Sequence, residues 1–568
     1  MIEFGGDYEP LNLLMIQYGP LVPAPLNAIV VVPVYAVFVS HNTTSTIVNT
    51  SVNFPNGTYS SITVTFFDQY LTNPFDDSFV VQVGNTQILA GNTLELQNTS
   101  VTQPVTDYYS ILQGQTSVLV TSPQFNPGYT SRLSTWFTFY LGTEAPHPQT
   151  VIPAFTDIGF PTPRNAFPNN VPIPFNVTRT TNVTFPENIS SAYINFYEQQ
   201  NGNDEFWYTL QPPFREFRIF IGNELVATVE PYPNIQTGGG DLFLWQPILG
   251  IGAEVYPPHV INLSPYLSLL HGTRTIKVEV INDENLWIRS ALNFMINTTQ
   301  ETAVSHMISS TFSFNDSYFQ SPQTNLTTES IPASAAFLND SNSVTEILAS
   351  SGITTTSAYL ADYSILKTDS FFANATEYDP SADIVIPTSS GYVIPIVENF
   401  YLNESITYFD TSTYYLFNSS GGPAYGHISI LNIKQEYFQI NGTSSEFIYL
   451  NSSGDLTGIG IGFNVTQIRN ITDYTLVSYD INGTSGDYNT TYSNDTTVVG
   501  DGFFAGTIVD NVITALTYNH AVTSKTVHSV SQLDGSITHY FDLYELAVNN
   551  SLVVRNGTLE VYEVSSGS

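Results

Sequence analysis

The sequence predicts an all-β protein, with two consecutive jelly-roll or β-sandwich domains related by internal duplication and a β-rich C-terminal region. Three observations carry this. Short alternating runs, such as Ile62-Thr-Val-Thr-Phe-Phe67, Tyr193-Ile-Asn-Phe-Tyr197 and Thr275-Ile-Lys-Val-Glu-Val280, recur between Gly, Pro and Asn turns. No stretch sustains a helical stripe; only Ser264-Pro-Tyr-Leu-Ser-Leu-Leu270 reads as a single turn, with Ser264 as cap and Pro265 in first position. The chain also repeats itself.

Taken in order, residues 1–45 read as an N-terminal extension. Their most apolar run, Leu21 to Ser40, is broken by Pro23, Pro25 and Pro33 and is too interrupted to span a membrane. No leader peptide is recognisable at Met1-Ile-Glu-Phe-Gly-Gly-Asp. Residues 46–160 form the first sandwich domain, with a hairpin turning at Gly84-Asn85. After a Pro-rich linker near Pro161 to Pro174, residues 175–300 form the second, whose hairpin turns at Gly222-Asn223. Each hairpin is followed by a Ser-(Ile/Leu)-Leu-x-Gly-x-x-(Thr/Ser)-(Val/Ile)-x-Val stretch. The spacing is 30 residues in the first copy (Gly84 to Gly114) and 50 in the second (Gly222 to Gly272), so the second copy carries an insertion at Tyr232 to Pro258. Residues 301–568, rich in Ser, Thr, Asn and Tyr, read as further antiparallel sheet in one or two subdomains.

Composition excludes several function classes. Across 568 residues, 13 Lys+Arg stand against 49 Asp+Glu, a formal net charge of −36 at pH 7. A phosphate-backbone or anionic-lipid partner needs clustered cations, which this chain lacks. Disorder is excluded by 42% hydrophobic and 13% aromatic residues against 11% charged. Zero cysteines remove disulfides, Cys-ligated metals and thiol catalysis. The 24 Asn-x-Ser/Thr sequons among 48 Asn residues exceed the roughly ten that chance would give, and point to a secreted or cell-surface glycoprotein. Protonating most carboxylates at about pH 3 would leave only a modest positive charge, which suggests a protein that works in acid.

The familiar motifs for zinc proteases, serine esterases, P-loops, dinucleotides and calcium loops are absent. Gly238-Gly-Gly240 has no following Lys or helix and reads as a tight loop. The dense region is Asn203-Asp-Glu-Phe-Trp-Tyr208 with the Gly-rich insertion and Trp245, which together hold two of the four Trp residues. Aromatic faces stack on sugar rings, while carboxylates hydrogen-bond hydroxyls or move protons. The plain alternative is that Trp207 and Trp245 are core residues and the acids solvated loop charges. The segment from 189 to 296 carries a single sequon, Asn262, as suits a face kept open. His259 and His271 read as structural, and Arg215 and Arg218 as surface partners of Glu216.

Four stretches resemble the peptide:N-glycosidase A family of glycoasparagine amidases. Gly202-Asn-Asp-Glu-Phe-Trp-Tyr208 resembles its Gly-x-Asp-Glu-Phe-Trp-Tyr signature, and Pro231-Tyr-Pro-Asn-Ile-Gln-Thr-Gly-Gly239 its Pro-x-Pro-x-x-x-Thr-Gly-Gly stretch. Trp245-Gln-Pro-Ile-Leu-Gly-Ile-Gly-Ala253 and Leu263-Ser-Pro-Tyr-Leu267 follow in the family's order. The resemblance is good over roughly residues 190 to 300, weaker over the first repeat and slight beyond. It implies two jelly rolls with an active site between them, and hydrolysis of the amide joining Asn to the innermost N-acetylglucosamine, giving Asp and a glycosylamine. It implies one essential acid just before the first hairpin, matched by Asp76 in Phe75-Asp-Asp-Ser78, and one in the acid–Trp motif, matched by Glu205. Two departures stand: Asp77 occupies the place of an Arg, so Asp77 is the alternative to Asp76, and the plant proteins' cysteines are missing.

On this reading Asp76 is the base and Glu205 its partner in positioning water or carbonyl. Asp204 orients the loop, Trp207 and Trp245 form a sugar platform, and Tyr208, Thr237 and Gly238 complete the substrate-binding set. Such a reaction needs neither cofactor nor metal, and the implied partners are N-glycosylated peptides or proteins. The rival is a non-catalytic glycan-binding or structural surface glycoprotein. A glycosidase comes third, since paired carboxylates would suit it equally.

Overall fold

The computed structural model describes residues 29–41, 45–72, 78–92, 99–123, 129–160, 175–199, 216–229, 256–283, 288–298, 303–313, 317–320, 331–354, 357–377, 386–388, 391–416, 424–453, 456–509, 512–532, 535–548 and 551–565. The first eight strands are β1 (Ile29–His41), β2 (Ser45–Phe54), β3 (Tyr59–Thr72), β4 (Ser78–Val83), β5 (Thr86–Asn92), β6 (Thr99–Pro104), β7 (Gly114–Pro123) and β8 (Tyr129–Leu141). They form two four-stranded antiparallel sheets, ordered β1-β8-β3-β6 and β2-β7-β4-β5. The next eight are β9 (Thr150–Phe160), β10 (Phe175–Phe185), β11 (Ile189–Gln199), β12 (Glu216–Ile221), β13 (Glu224–Val229), β14 (His259–Asn262), β15 (Gly272–Asp283) and β16 (Ile288–Thr298). Their sheets are β9-β16-β11-β14 and β10-β15-β12-β13. Adding eight to each label of the first pair of sheets produces the second, and each pair is an eight-stranded jelly roll of two Greek keys.

The duplication extends to backbone detail. Gly84, Gly114, Gly222 and Gly272 all have φ near +60° (59°, 65°, 64° and 61°), a region open to Gly at little cost. Gly84 N–H donates to Ser117 O and Gly222 N–H to Thr275 O, both at 2.8 Å. Each hairpin carries a bulge at the matching point, Val81/Gln82 and Ile219/Phe220. Each jelly roll has a 3-10 turn before its seventh strand, Thr106–Ile111 and Ser264–Leu269. Ser264, expected as the cap, is the first residue of its turn; Asn262 Oδ1 accepts the Ser264 N–H at 2.9 Å instead.

Pairing decides which strand belongs where. β1 arises in the segment read as an extension, yet it pairs with β8 along its length, from Ile29↔Tyr140 to His41↔Tyr129. β9 follows the first jelly roll directly but pairs with β16 of the second, as in Phe294↔Ile152. Each jelly roll buries its own core between its sheets: Ile62, Val64, Phe66, Phe79, Val81, Phe137 and Phe139 in the first; Ile194, Phe196, Phe217, Ile219, Ile276, Val278, Leu292 and Phe294 in the second. The first core also takes in Tyr197, Tyr256, Ala291 and Met295, so the outer face of β11 and β16 is buried against the first jelly roll.

The C-terminal residues form one antiparallel sheet of twelve strands. These are β17 (Ala303–Ser313), β18 (Ser317–Gln320), β19 (Ile331–Thr354), β20 (Ser357–Glu377), β21 (Ile386–Thr388), β22 (Gly391–Leu416), β23 (Gly426–Asn451), β24 (Leu456–Ile481), β25 (Thr484–Val509), β26 (Val512–Gln532), β27 (Gly535–Val548) and β28 (Ser551–Ser565). Apart from the short β18 and β21, the strands follow one another as a meander. One face covers the open edges β13 and β14 of the second jelly roll, edges that would otherwise be free to pair with another chain. Lys367 on β20, 8% exposed, donates to Thr228 O on β13 at 2.8 Å and pairs with Glu404 at 3.0 Å.

Candidate functional site

Three connections carry every catalytic and substrate-binding residue that the sequence singles out. Asp76, with its alternative Asp77, lies in 73–77; Asp204, Glu205, Trp207 and Tyr208 lie in 200–215; Thr237, Gly238 and Trp245 lie in 230–255. All of them fall outside the described residues. What the structure describes is the frame from which those connections leave.

The first two connections are topological equivalents. Residues 73–77 join β3 to β4, and 200–215 join β11 to β12, the same step in each jelly roll. Each is bounded by an aromatic pair reaching across its sandwich. Phe66 and Phe79 stack with centroids 3.7 Å apart, and Phe196 and Phe217 meet edge to face at 5.0 Å. All four rings are fully buried, so each of these strand pairs rests on a packed core.

The flanks of the three connections converge. Tyr256, the first described residue after 230–255, is buried, and its N–H donates to Ala90 O of β5 at 3.0 Å. Ala90 pairs with Val80, three residues beyond the end of 73–77. On the other side His259 of β14 sits opposite Phe196 of β11, with its Nε2 3.6 Å from Glu198 Oε1. Glu198 is buried one residue before the end of β11. Glu216 opens β12 fully buried and forms an ion pair with Arg218. The expected Arg218–Glu216 pair is therefore present, but its carboxylate is interior rather than on the surface. Segment 230–255 thus leaves and re-enters beside the ends of both acid-bearing connections.

A buried polar network locks the two jelly rolls at this junction. Each tyrosine hydroxyl has one proton, which orders the bonds: Tyr197 donates to Ile88 O at 3.0 Å, so Tyr108 donates to Tyr197 at 3.0 Å while accepting from Asn195 Nδ2 at 3.1 Å. Asn293 Nδ2 donates to Gln87 O at 2.8 Å. Burial pushes the Tyr108 hydroxyl up to about 12 and that of Tyr197 well above its ordinary value, so both stay neutral. Asp107 of the first jelly roll accepts a hydrogen bond from Tyr193 of the second; burial raises its carboxyl, against the pull of Tyr193 and of His147. Sequence reasoning passed over this network. Its signal lies in β11 itself, where Tyr193, Asn195 and Tyr197 alternate with Ile194 and Phe196 and neither face carries a surface charge.

No group of three or more His, Asp or Glu that could hold a metal occurs among the described residues. His271 bonds to Ser268 O at 2.8 Å and to Arg274, and so braces the second 3-10 turn.

Tandem jelly rolls locked face to face, with acid- and tryptophan-bearing connections leaving one junction, define the class. Residues 34–311 match the family described as Peptide N-acetyl-beta-D-glucosaminyl asparaginase amidase A. A curated relative from almond (Prunus dulcis), named Peptide-N4-(N-acetyl-beta-glucosaminyl)asparagine amidase A, is 27% identical over 271 residues, which are 41% of this chain and 47% of the relative. The chain thus spans about half the length of that relative. Among solved structures, PNGase F, a glycosylasparaginase from Flavobacterium meningosepticum, is 16% identical, covering 48% of this chain and 97% of its own with a TM-score of 0.35. PNGF-II is 12% identical, covering 48% of this chain and 65% of its own, also with a TM-score of 0.35. The twelve-stranded sheet lies almost wholly beyond the matched residues.

Proposed function

We propose that this chain is a secreted glycoamidase. It hydrolyses the amide between Asn and the innermost N-acetylglucosamine of N-glycopeptides or glycoproteins, giving Asp and a glycosylamine. The observation that carries this reading is the equivalence of the two acid-bearing connections: Asp76 and Glu205 sit on the same step of two duplicated jelly rolls, within a region that matches the amidase family.

Attack on a secondary amide requires an activated water, a group that polarises the carbonyl, and a proton for the leaving glycosylamine. Asp76 acts as base on the water. Glu205 positions water or carbonyl, and the proton taken by Asp76 passes to the departing nitrogen. Asp204 orients the loop; Trp207 and Trp245 stack on the sugar, with Tyr208, Thr237 and Gly238 beside it. The sequon density and acidic composition support a secreted glycoprotein that works in acid.

Mass spectrometry of an N-glycopeptide incubated with the protein from strongly acid to neutral pH tests this. Release of the whole glycan with Asn converted to Asp is the expected result. Cleavage that leaves one N-acetylglucosamine on Asn would make it a glycosidase. Bound but uncut glycopeptide at every pH would make it a glycan-binding surface protein.

A further inference from the structure

The face of the C-terminal sheet that covers the second jelly roll does not close against it everywhere. A cleft of about 530 Å³ remains between β11 and β14 on one wall and β22, β23 and β24 on the other. Its volume lies within the range of small-molecule sites. From this cleft we infer a second carbohydrate site, built by the C-terminal sheet for a neutral oligosaccharide and independent of amide hydrolysis.

Sheet register builds the site. Asp410, Asn432 and Thr475 are direct cross-strand neighbours, and so are Tyr408, Lys434 and Asp473 two residues along. Both triplets therefore form rows on one face. The first row is fixed by its own bonds: Ser412 Oγ donates to Asp410 Oδ1 at 3.2 Å, Asn432 Nδ2 to Asp410 Oδ2 at 3.4 Å, and Thr475 Oγ1 to Asn432 Oδ1 at 2.9 Å. Each planar group retains a lone pair or an N–H for a ligand. Tyr193 and Asn262 line the opposite wall, and Tyr474 lies beside the rows.

The chemistry narrows the ligand. Two carboxylates disfavour an anion, and the Lys434 ammonium, which pairs with Glu436 and lies over the Tyr408 ring, disfavours a metal ion. Fixed rows of carboxylate, amide and hydroxyl disfavour an apolar ligand. Vicinal hydroxyls suit them, because a carboxylate or amide can accept from one hydroxyl while a neighbouring group donates to the next, and tyrosine rings cover the C–H faces of sugars. Burial raises the carboxyls of Asp410 and Asp473 above the ordinary carboxylate range, against the pull of Asn432 and Ser412 on the first and of Lys434 on the second. A narrower cavity of about 150 Å³ shares Val260, Asn262, Tyr408 and Lys434 with the cleft and continues along β14 to Pro257. The groove therefore ends beside Tyr256, where segment 230–255 re-enters.

The test uses the full chain and a free oligomannose-type glycan, which has no Asn amide to cut. Calorimetry at mildly acid pH is expected to show binding that Asp410→Ala and Asn432→Ala each weaken about tenfold or more, and that Glu205→Gln leaves unchanged. Hydrogen exchange on the unaltered protein is expected to show protection by the glycan in 429–434 and 472–476, a readout that survives if Asp410→Ala fails to fold. Absence of binding, protection confined to the jelly-roll ends, or equal protection by a sugar-free peptide would each overturn the proposal. Glycopeptide hydrolysis is scored separately: it can fail with the cleft still binding, and the cleft can fail with hydrolysis intact.

Discussion

Glu198 and Glu216 bracket the connection that carries Glu205, and both are interior with a basic partner, His259 for one and Arg218 for the other. A carboxylate held in this way braces a loop; it is not placed to take a proton from water and hand it on. Asp76 and Glu205 have the complementary sequence context, acids on connections rather than at strand ends. Asp76→Asn and Glu205→Gln are therefore each expected to cut glycopeptide hydrolysis by about 10²–10⁴-fold, with glycopeptide affinity retained, as checked by the Asn-to-Asp mass change and by calorimetry. Glu198→Gln is expected to act through stability, costing about 1–3 kcal/mol, with a smaller loss of rate; denaturant titration beside the same assay separates the two. The alternating run Tyr193–Tyr197 just before Glu198 was legible in the sequence. The bracing role of Glu198 was not, because the partner histidine lies sixty-one positions later on β14 and only strand pairing brings it across from Phe196.

At the scale of the element, the duplication was legible for a local reason: a backbone with φ near +60° asks for Gly, and the same two turns ask for it at matching points in each copy. A methyl group at Gly114 or Gly272 would meet no atom within 4 Å, so a substitution there isolates the backbone cost from any clash. Gly114→Ala and Gly272→Ala are each expected to lower stability by about 1–2 kcal/mol in a urea titration, and by similar amounts, since the turns are equivalent. Strand membership was less legible. Val151 and Ile152 of β9 carry an apolar pattern that either jelly roll could use; what assigns them is pairing with Met295 and Phe294, more than 140 positions on. The Tyr108–Tyr197 contact is hidden in the same way, since each residue alone reads as an ordinary core tyrosine. Tyr197→Phe leaves Tyr108 without its acceptor in a dry interface, at an expected cost of about 1–3 kcal/mol. Hydrogen exchange should locate the loss at β5 and β11, whereas a purely local effect would stay within β11.

For the whole molecule, the question is how a chain with 13 cations and 49 acids holds two jelly rolls and a large sheet together. Part of the answer is that cations are spent where surfaces meet: Lys367, Lys434 and Arg469 line one cavity between sheet and jelly roll, facing Glu404 and Glu436. Lys367→Met would leave Glu404 near the interface without its ion pair and Thr228 O without its donor. A loss of about 3 kcal/mol, with faster exchange in β13 and β20, is the expected result. The other part is pH. Burial is the largest cause that raises the carboxyls of Asp107, Asp410 and Asp473 above the ordinary range. Such groups bind protons more tightly in the folded chain than in the unfolded one. Their contribution is fully present below the unfolded value, about 3.9 for Asp, and is lost as pH rises through the folded values. Glu436 runs the other way: burial pushes it up, but Lys434 and Arg469 outweigh that and hold it low, so its contribution is lost as pH falls through its folded value. Among the described residues Asp495 is raised by burial as well, so four raised acids stand against one lowered, and self-repulsion growing towards a net charge of −36 at pH 7 adds to the slope. The melting temperature is expected to be higher in mild acid than at neutrality, and Asp107→Asn, which removes the titration while keeping an acceptor for Tyr193, should flatten the fall. Scanning calorimetry across that range decides the matter: a melting temperature that climbs towards neutral pH would mean that the paired carboxylates, not the buried ones, govern the fold.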